Sequence, residues 1–279
     1  MFFKQCKCTD SKNIGNTRVR IDDLITSIKY DGNYCQIGKH NNELYCYTSG
    51  GKRFILPNYI HSIFIDIIPE GFIFECEYIG TDGKLGDLAN SSLTSLRTAY
   101  NNSTDISKDF KVGTFMVFDF IDTLAYDLKY VYRVELLTEL MCLVETDYVK
   151  QVEYIDFINI YTLKNTGYEG AISKSKTHTQ REGKRVKDGI KHKFTNTVDL
   201  LCIDTIYGLG KYKGQIGSLV LRDSKGRTVS VGSGMSDSDR NLPRSYYINK
   251  IIEIGYWTIK DTYLQPVFKR VRDDKEKED

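Results

Sequence analysis

Lys29-Tyr30-Asp31-Gly32 sets a primary amine two residues from a carboxylate and three from a turn-forming glycine, directly after the short apolar run 24–28. Asp-Gly is a strong turn signal, so the quartet also reads as the charged corner of a hairpin. As chemistry, it offers a lysine nucleophile. An unperturbed ammonium is neutral in only about one molecule in 10³ near neutral pH, which adds roughly 4 kcal/mol to a barrier. Burial or a nearby cation lowers that cost. What such a lysine attacks must be read from the groups that accompany it.

Phe74-Glu75-Cys76-Glu77-Tyr78 puts two acids two residues apart, on one face of an extended segment. They could equally be solvent-facing acids of an edge strand. Phe115-Met116-Val117-Phe118-Asp119 lies in a near-continuous apolar run, where a phenylalanine is more often core than ligand. Tyr168-Glu169-Gly170-Ala171-Ile172-Ser173-Lys174 adds a third acid, and Lys191-His192-Lys193 points two ammonium groups to one side of a strand. A lysine attacking a phosphoanhydride needs such an ensemble. Cations neutralise the phosphates, carboxylates hold a divalent metal, and an aromatic ring holds the base.

In this order the segments resemble the covalent nucleotidyltransferases, most closely the small ATP-dependent DNA ligases of bacteriophage and viral type. The resemblance spans Ile25 to Lys275. It implies that Lys29 takes AMP from ATP and that Asp31 lies near the ribose or the attacking 3′-hydroxyl. Glu77 corresponds to a ribose- or metal-directed glutamate, Phe118 to the aromatic that stacks on adenine, and Glu169 to a ligand of Mg²⁺ or Mn²⁺. Lys191 and Lys193 are expected on the ATP phosphates as catalytic and binding cations. The stretch Val231-Gly232-Ser233-Gly234 through Arg240 is similar to a loop of the ligase OB barrel, and Arg272-Asp273-Asp274-Lys275 to a terminal R-x-D-K motif. The latter implies Arg272 and Lys275 on the pyrophosphate. Arg53, Lys184, Arg185 and Arg240 are the expected DNA contacts.

Two positions depart from the family. Tyr34 stands where many DNA ligases have arginine, and Thr48-Ser49-Gly50-Gly51-Lys52-Arg53 displaces the arginine of a phosphate-binding S-R-x-G segment. No zinc finger, BRCT repeat or extra N-terminal domain is read, which argues against the NAD-dependent ligases. RNA ligases and mRNA guanylyltransferases share the lysine chemistry. A non-catalytic OB-fold nucleic-acid-binding protein is the alternative of another class. The V-G-S-G loop and the R-x-D-K tail favour a DNA ligase, and the joint presence of Lys29, Glu77, Glu169, Lys191 and Lys193 favours an enzyme.

The elements that must position these groups follow from patterning. The chain has 279 residues, 41% hydrophobic and 27% charged, enough for two domains. Tyr 20 and Phe 13 against Trp 1 suggest β-rich structure. Alternation predicts strands over 30–56, 71–80, 155–163, 169–173 and 198–206, and a buried strand over 113–121. Helical spacing is expected near 58–63, over 91–100 and over 131–144. From about residue 195, glycine-punctuated short strands have the texture of a small barrel. The expected fold is therefore α+β: an adenylation domain of antiparallel sheets with flanking helices over 1–194, then an OB-fold β-barrel over 195–279.

Net charge is +2, yet residues 174–193 hold eight basic side chains against Glu182 and Asp188, a local excess of +6. That window reads as a surface loop meeting a polyanion, here nicked duplex DNA. The seven cysteines are expected as free thiols, since Cys6, Cys8, Cys35 and Cys46 fit no common zinc spacing. No apolar run nears the roughly 18 residues of a membrane span, and no signal peptide is read. A cytoplasmic monomer acting in replication, repair or recombination is the resulting expectation.

Overall fold

The alternating residues of Asn33–His40 and Phe72–Ile79 pair antiparallel, and that pairing is the spine of the larger sheet. The computed structural model describes residues 2–11, 20–79, 93–94, 96–98, 100–102, 113–163 and 168–279. It divides into two compact units, 1–193 and 194–279. The helix expected over 91–100 falls partly outside the described residues.

In the first unit the strands are β1 (Lys7–Asp10), β2 (Leu24–Lys29), β3 (Asn33–His40), β4 (Glu43–Thr48), β5 (Arg53–Phe54), β6 (Phe72–Ile79), β7 (Thr114–Asp122), β8 (Val149–Gln151), β9 (Tyr154–Ile155), β10 (Gly170–Ser175) and β11 (Arg185–Lys193). They form two sheets, ordered β5-β4-β3-β6-β7-β8 and β1-β11-β10-β2-β9. Helix α1 (Asn58–Ile67) and helix α2 (Tyr130–Met141) contribute Ile60, Phe64, Leu137 and Met141 to the core under the larger sheet, against Phe74, Phe115 and Phe120. Each such side chain stabilises by about 1.5–3 kcal/mol on burial. Segment 157–163, expected as strand, is instead a 3-10 helix (Phe157–Leu163). It buries Ile160 while Ile158 and Tyr161 stay 82% and 81% exposed, so its apolar residues never had a sheet face to alternate on.

The second unit is a five-stranded sheet, β14-β13-β12-β15-β16, made of β12 (Asn196–Tyr207), β13 (Ile216–Arg222), β14 (Thr228–Val231), β15 (Ile251–Tyr256) and β16 (Val267–Val271). Its own core holds Leu200, Leu219, Val231, Tyr247, Ile252, Ile254 and Phe268. The short helix α3 (Asp237–Asn241) starts in a capping box, with Ser236 and Asp239 bonding each other's backbone N–H. All seven cysteines are free thiols. Among the described residues no helix is long and apolar enough to cross a membrane.

Candidate active site

Three strand ends bring the predicted charges to one rim. Gly170 is in register with Lys29 of β2 on one side and Lys193 of β11 on the other, and Ile172 is likewise flanked by Ser27 and Lys191. Residues two apart share a face, so Ser27, Lys29, Ile172, Lys174, Lys191 and Lys193 look the same way. Glu169, one residue before β10, ion-pairs with Lys29 and, at 2.8 Å, with Lys193. The two motif glycines explain themselves here by close approach. A Cβ on Gly170 would lie 1.9 Å from the carbonyl oxygen of His192, and one on Gly32 would lie 2.2 Å from that of Tyr78. Gly32 also donates its N–H to Glu77 at 3.1 Å.

The facing wall comes from the larger sheet. Glu77 and Glu75 project from β6, Tyr34 from β3 and Phe118 from β7, around a cleft of about 220 Å³ that Lys29, Ile172, Lys174 and Lys191 close from the other side. Phe118 owes its position to a bulge. Glu75 pairs with Asp119 and Cys76 with Val117, which leaves Phe118 as the extra, unpaired residue. Bulges re-aim side chains in this way, and Phe118 keeps part of its surface open where its neighbours Val117 and Asp119 are buried.

Burial and neighbouring charge set the electrostatics. Burial pushes the Glu77 carboxyl up to about 7; Lys29 opposes the rise, while the charges of Glu169 and Asp31 add to it. For Glu169 burial acts in the same sense, but Lys29 and Lys193 outweigh it and hold its carboxyl below the ordinary range. Burial lowers Lys191, with Lys29 and Lys193 adding to the effect, and no carboxylate pairs with it among the described residues. An under-neutralised cation beside a cleft is suited to an oxyanion.

Behind the cleft lies a buried network that the sequence did not announce. Arg133 of α2 grips Asp119 through two bonds of 2.8 and 3.1 Å, and Lys174 adds a third at 2.6 Å. Gln180 bridges Asp119 and Glu75, while the Tyr34 hydroxyl donates to Glu75 at 2.5 Å. Burial, followed by the Asp119 charge, raises the Glu75 carboxyl. Lys174, counted in the basic window, is thus a buried ion-pair partner with its ammonium over the rings of Tyr130 and Phe118. The N-terminal segment was missed as well. Gln5, Cys6, Lys7 and Cys8 line the cleft because β1 pairs in parallel with β11. Only the charge of Lys7 could have signalled it.

Of the expected DNA contacts in the first unit, Arg53, Lys184 and Arg185 do not line the cleft. Arg53 lies over the rings of Tyr45, Tyr47 and Tyr100 at 5.1–5.7 Å. Lys184 and Arg185 are exposed on the approach to β11, where Arg185 donates to the Cys8 carbonyl at 3.0 Å. The basic window comprises the end of β10, the connection 176–184 and β11. Arg240 is buried, and its guanidinium donates to the carbonyls of Ile216, Gly217 and Gly232 beneath the Tyr212 ring. Arg272 and Lys275 belong to the second unit and share one carboxylate, Asp199.

The DNA ligase OB-like domain family matches residues 207–272. A DNA ligase of Saccharolobus islandicus (strain Y.G.57.14 / Yellowstone #1) is 26% identical over 246 residues, which is 76% of this chain and 39% of that protein. One of Saccharolobus solfataricus is 26% identical over 245 residues with the same shares. The chain thus spans about two fifths of the curated relatives it matches. Among solved structures, one from a structure-function study of Lig E DNA ligases superposes with a TM-score of 0.76 at 18% identity, over 98% of this chain and all of that one. The ATP-dependent DNA ligase of bacteriophage T7 in complex with ATP gives 0.51 at 16% identity, over 96% and 98% of the two chains. The fold is that of a nucleotidyltransferase domain followed by an OB domain.

Proposed function

We propose that this chain, a relative of the DNA ligases in sequence and in fold, is an ATP-dependent DNA ligase. In this reading it seals 5′-phosphate/3′-hydroxyl nicks through a lysine–AMP intermediate, with residues 1–194 as adenylation domain and 195–279 as OB domain. The observation that supports it most is the junction of β2, β10 and β11, where Lys29, Glu169 and Lys193 meet at the mouth of a cleft walled by Phe118. A lysine held at a rim by a carboxylate, with further cations beside it and an aromatic face within, suits a nucleoside triphosphate.

The Nζ of Lys29 forms a bond to the α-phosphorus of ATP as the bond to the bridging oxygen breaks and pyrophosphate departs. Lys191 and Lys193 take up charge on the phosphates, the main task of the protein in phosphoryl transfer. Phe118 stacks on the base. AMP then passes to the 5′-phosphate of the nick, and the 3′-hydroxyl, with Asp31 nearby, displaces it.

Glu77 and Glu169 fit a divalent cation by their chemistry. They are two hard oxygen donors near enough that the charge of one raises the other, a repulsion that a cation relieves. No group of three or more His, Cys, Asp or Glu able to hold a metal occurs among the described residues. A pair suits Mg²⁺ or Mn²⁺, which keeps water and substrate phosphate in the remaining positions. A bound ion would add charge neutralisation at the α-phosphate.

Denaturing gels after incubation with labelled ATP and, separately, GTP test the reading. A covalent label from ATP alone is expected, and Lys29→Ala is expected to abolish it while sealing of a pre-adenylated nick partly survives. A labelled Lys29→Ala band would assign the nucleophile elsewhere. Label from GTP would point to a capping enzyme, and no label from either to a binding module.

A further inference from the structure

Residues 2–8 form a strap in the first unit whose two ends are tied to different sheets. At one end Phe3 is buried with Ile73 of β6 and Ile121 of β7, and its ring stacks on Tyr126. At the other end β1 pairs in parallel with β11, and Gln5, Cys6, Lys7 and Cys8 line the cleft. Between them the Lys4 N–H donates to Glu182 at 3.0 Å, and its carbonyl accepts from Gly183 at 2.9 Å. Phe3 precedes β1, and a side chain takes the place of a strand neighbour there. Gln36 of β3, wholly buried, accepts from the Phe3 N–H through Oε1 at 3.2 Å and donates to the Phe3 carbonyl through Nε2 at 2.8 Å.

One amide thus satisfies two buried backbone groups of the same residue, a donor and an acceptor that would otherwise lack partners. The same Nε2 donates to the Tyr34 hydroxyl at 2.7 Å, and Tyr34 donates to Glu75 at 2.5 Å. Tyr34 and Glu75 line the cleft, whereas Gln36 does not. The strap on one side of the cleft is therefore coupled through Gln36 to the wall that faces it. Contacts from such a wall are alike before and during a reaction at Lys29. They govern how tightly a ligand is held rather than how fast it reacts.

We propose that Gln36 is a positioning residue for nucleotide binding, which seats residues 2–8 as a wall of the cleft and thereby sets the affinity for ATP. This rests on the ligase reading and deepens it. Gln36 touches no reactant and acts through the strap, whose half-buried Cys6 reports whether the wall is in place.

The experiment follows lysine–AMP formation in the full chain against the concentration of labelled ATP and, separately, sealing of a pre-adenylated nick. Gln36→Met, close in size but without the amide, is expected to raise the half-saturating ATP concentration at least fivefold, with the maximal rate and sealing within about twofold of wild type. Alkylation of Cys6 in the absence of nucleotide, followed by mass spectrometry, is expected to quicken at least fivefold in the same variant. An unchanged half-saturating concentration, a maximal or sealing rate that falls as far as affinity does, or unchanged alkylation would each overturn the proposal. Should Gln36→Met fail to fold, Gln36→Glu, which keeps the acceptor for Phe3 and loses the amide donor, is put through the same assays, with the same outcomes deciding. A wild-type chain that forms no lysine–AMP overturns the ligase reading and this inference together, whereas a labelled wild type with an unaffected Gln36→Met overturns this one alone.

Discussion

Glu77 is the residue whose charge is most at odds with its surroundings. Its carboxyl moves from 4.5 to about 7 on folding, chiefly by burial. The sign is the reverse of a salt-bridged carboxylate: the folded state holds the proton more tightly than the unfolded state. The stabilisation is present in full below about pH 4.5 and is lost as pH rises through 7. Such a shift corresponds to about 3 kcal/mol, reduced to about 1–2 by the solvent this side chain keeps. Glu77→Gln is therefore expected to be more stable than wild type at pH 8 and close to it at pH 5, by urea unfolding at the two values. Equal differences at both would dismiss the burial account. At this scale the sequence was informative where placement rests on spacing along one strand. Lys29, Glu169, Lys191 and Lys193 are two-residue alternations or strand ends, and alternation is a local property. The burial of Arg240 was not legible, because only the folded chain shows three carbonyls converging on its guanidinium.

Among the elements, strands over 113–121 and 169–173 could be anticipated from apolar runs and turns. The bulge that aims Phe118 could not, because it is a mismatch between two strands and is written in neither. The 3-10 segment Phe157–Leu163 defeated the pattern for a related reason: it buries Ile160 and exposes Ile158 and Tyr161 without a sheet partner to fix an alternation. The basic window was half legible. Its charge was evident, but which charges are engaged was not. Arg181 pairs with Asp188 at 2.8 Å and Lys176 donates to the Asp22 carbonyl at 2.7 Å, whereas Lys184 and Lys187 stay exposed. Each phosphate neutralised on duplex DNA contributes about 0.9 to the slope of log affinity against log salt. Lys184→Gln/Lys187→Gln is accordingly expected to flatten that slope on nicked DNA by about 2, with lysine–AMP formation unchanged. An unaltered slope would remove this turn from the DNA interface.

Across the whole molecule, two separate cores divide the work, and the sole tryptophan, Trp257, lies in the second unit. Arg240→Ala leaves buried carbonyls without their donor, at a cost of about 2–4 kcal/mol. The transition reported by Trp257 fluorescence should fall accordingly, and nick affinity at temperatures where the barrel stays folded should not change. A loss of affinity with stability intact would restore Arg240 to DNA contact. The change in glycine punctuation lies close to the split between the two units, while the wall built by residues 5–8 left no such mark, since its partner lies far along the chain. That distance matters for how the protein comes into being. Thr9 bonds the Val186 carbonyl at 2.6 Å across a separation of 177 residues, so β1 is threaded beside β11 only after nearly all of the first unit has been made. At 5–20 residues per second, the opening strand waits roughly ten to forty seconds for its mate. Closing so long a loop is also a slow step in folding. Newborn chains therefore spend that interval with the cleft unwalled on one side, and the cleft is completed at the end of the unit's synthesis, all at once.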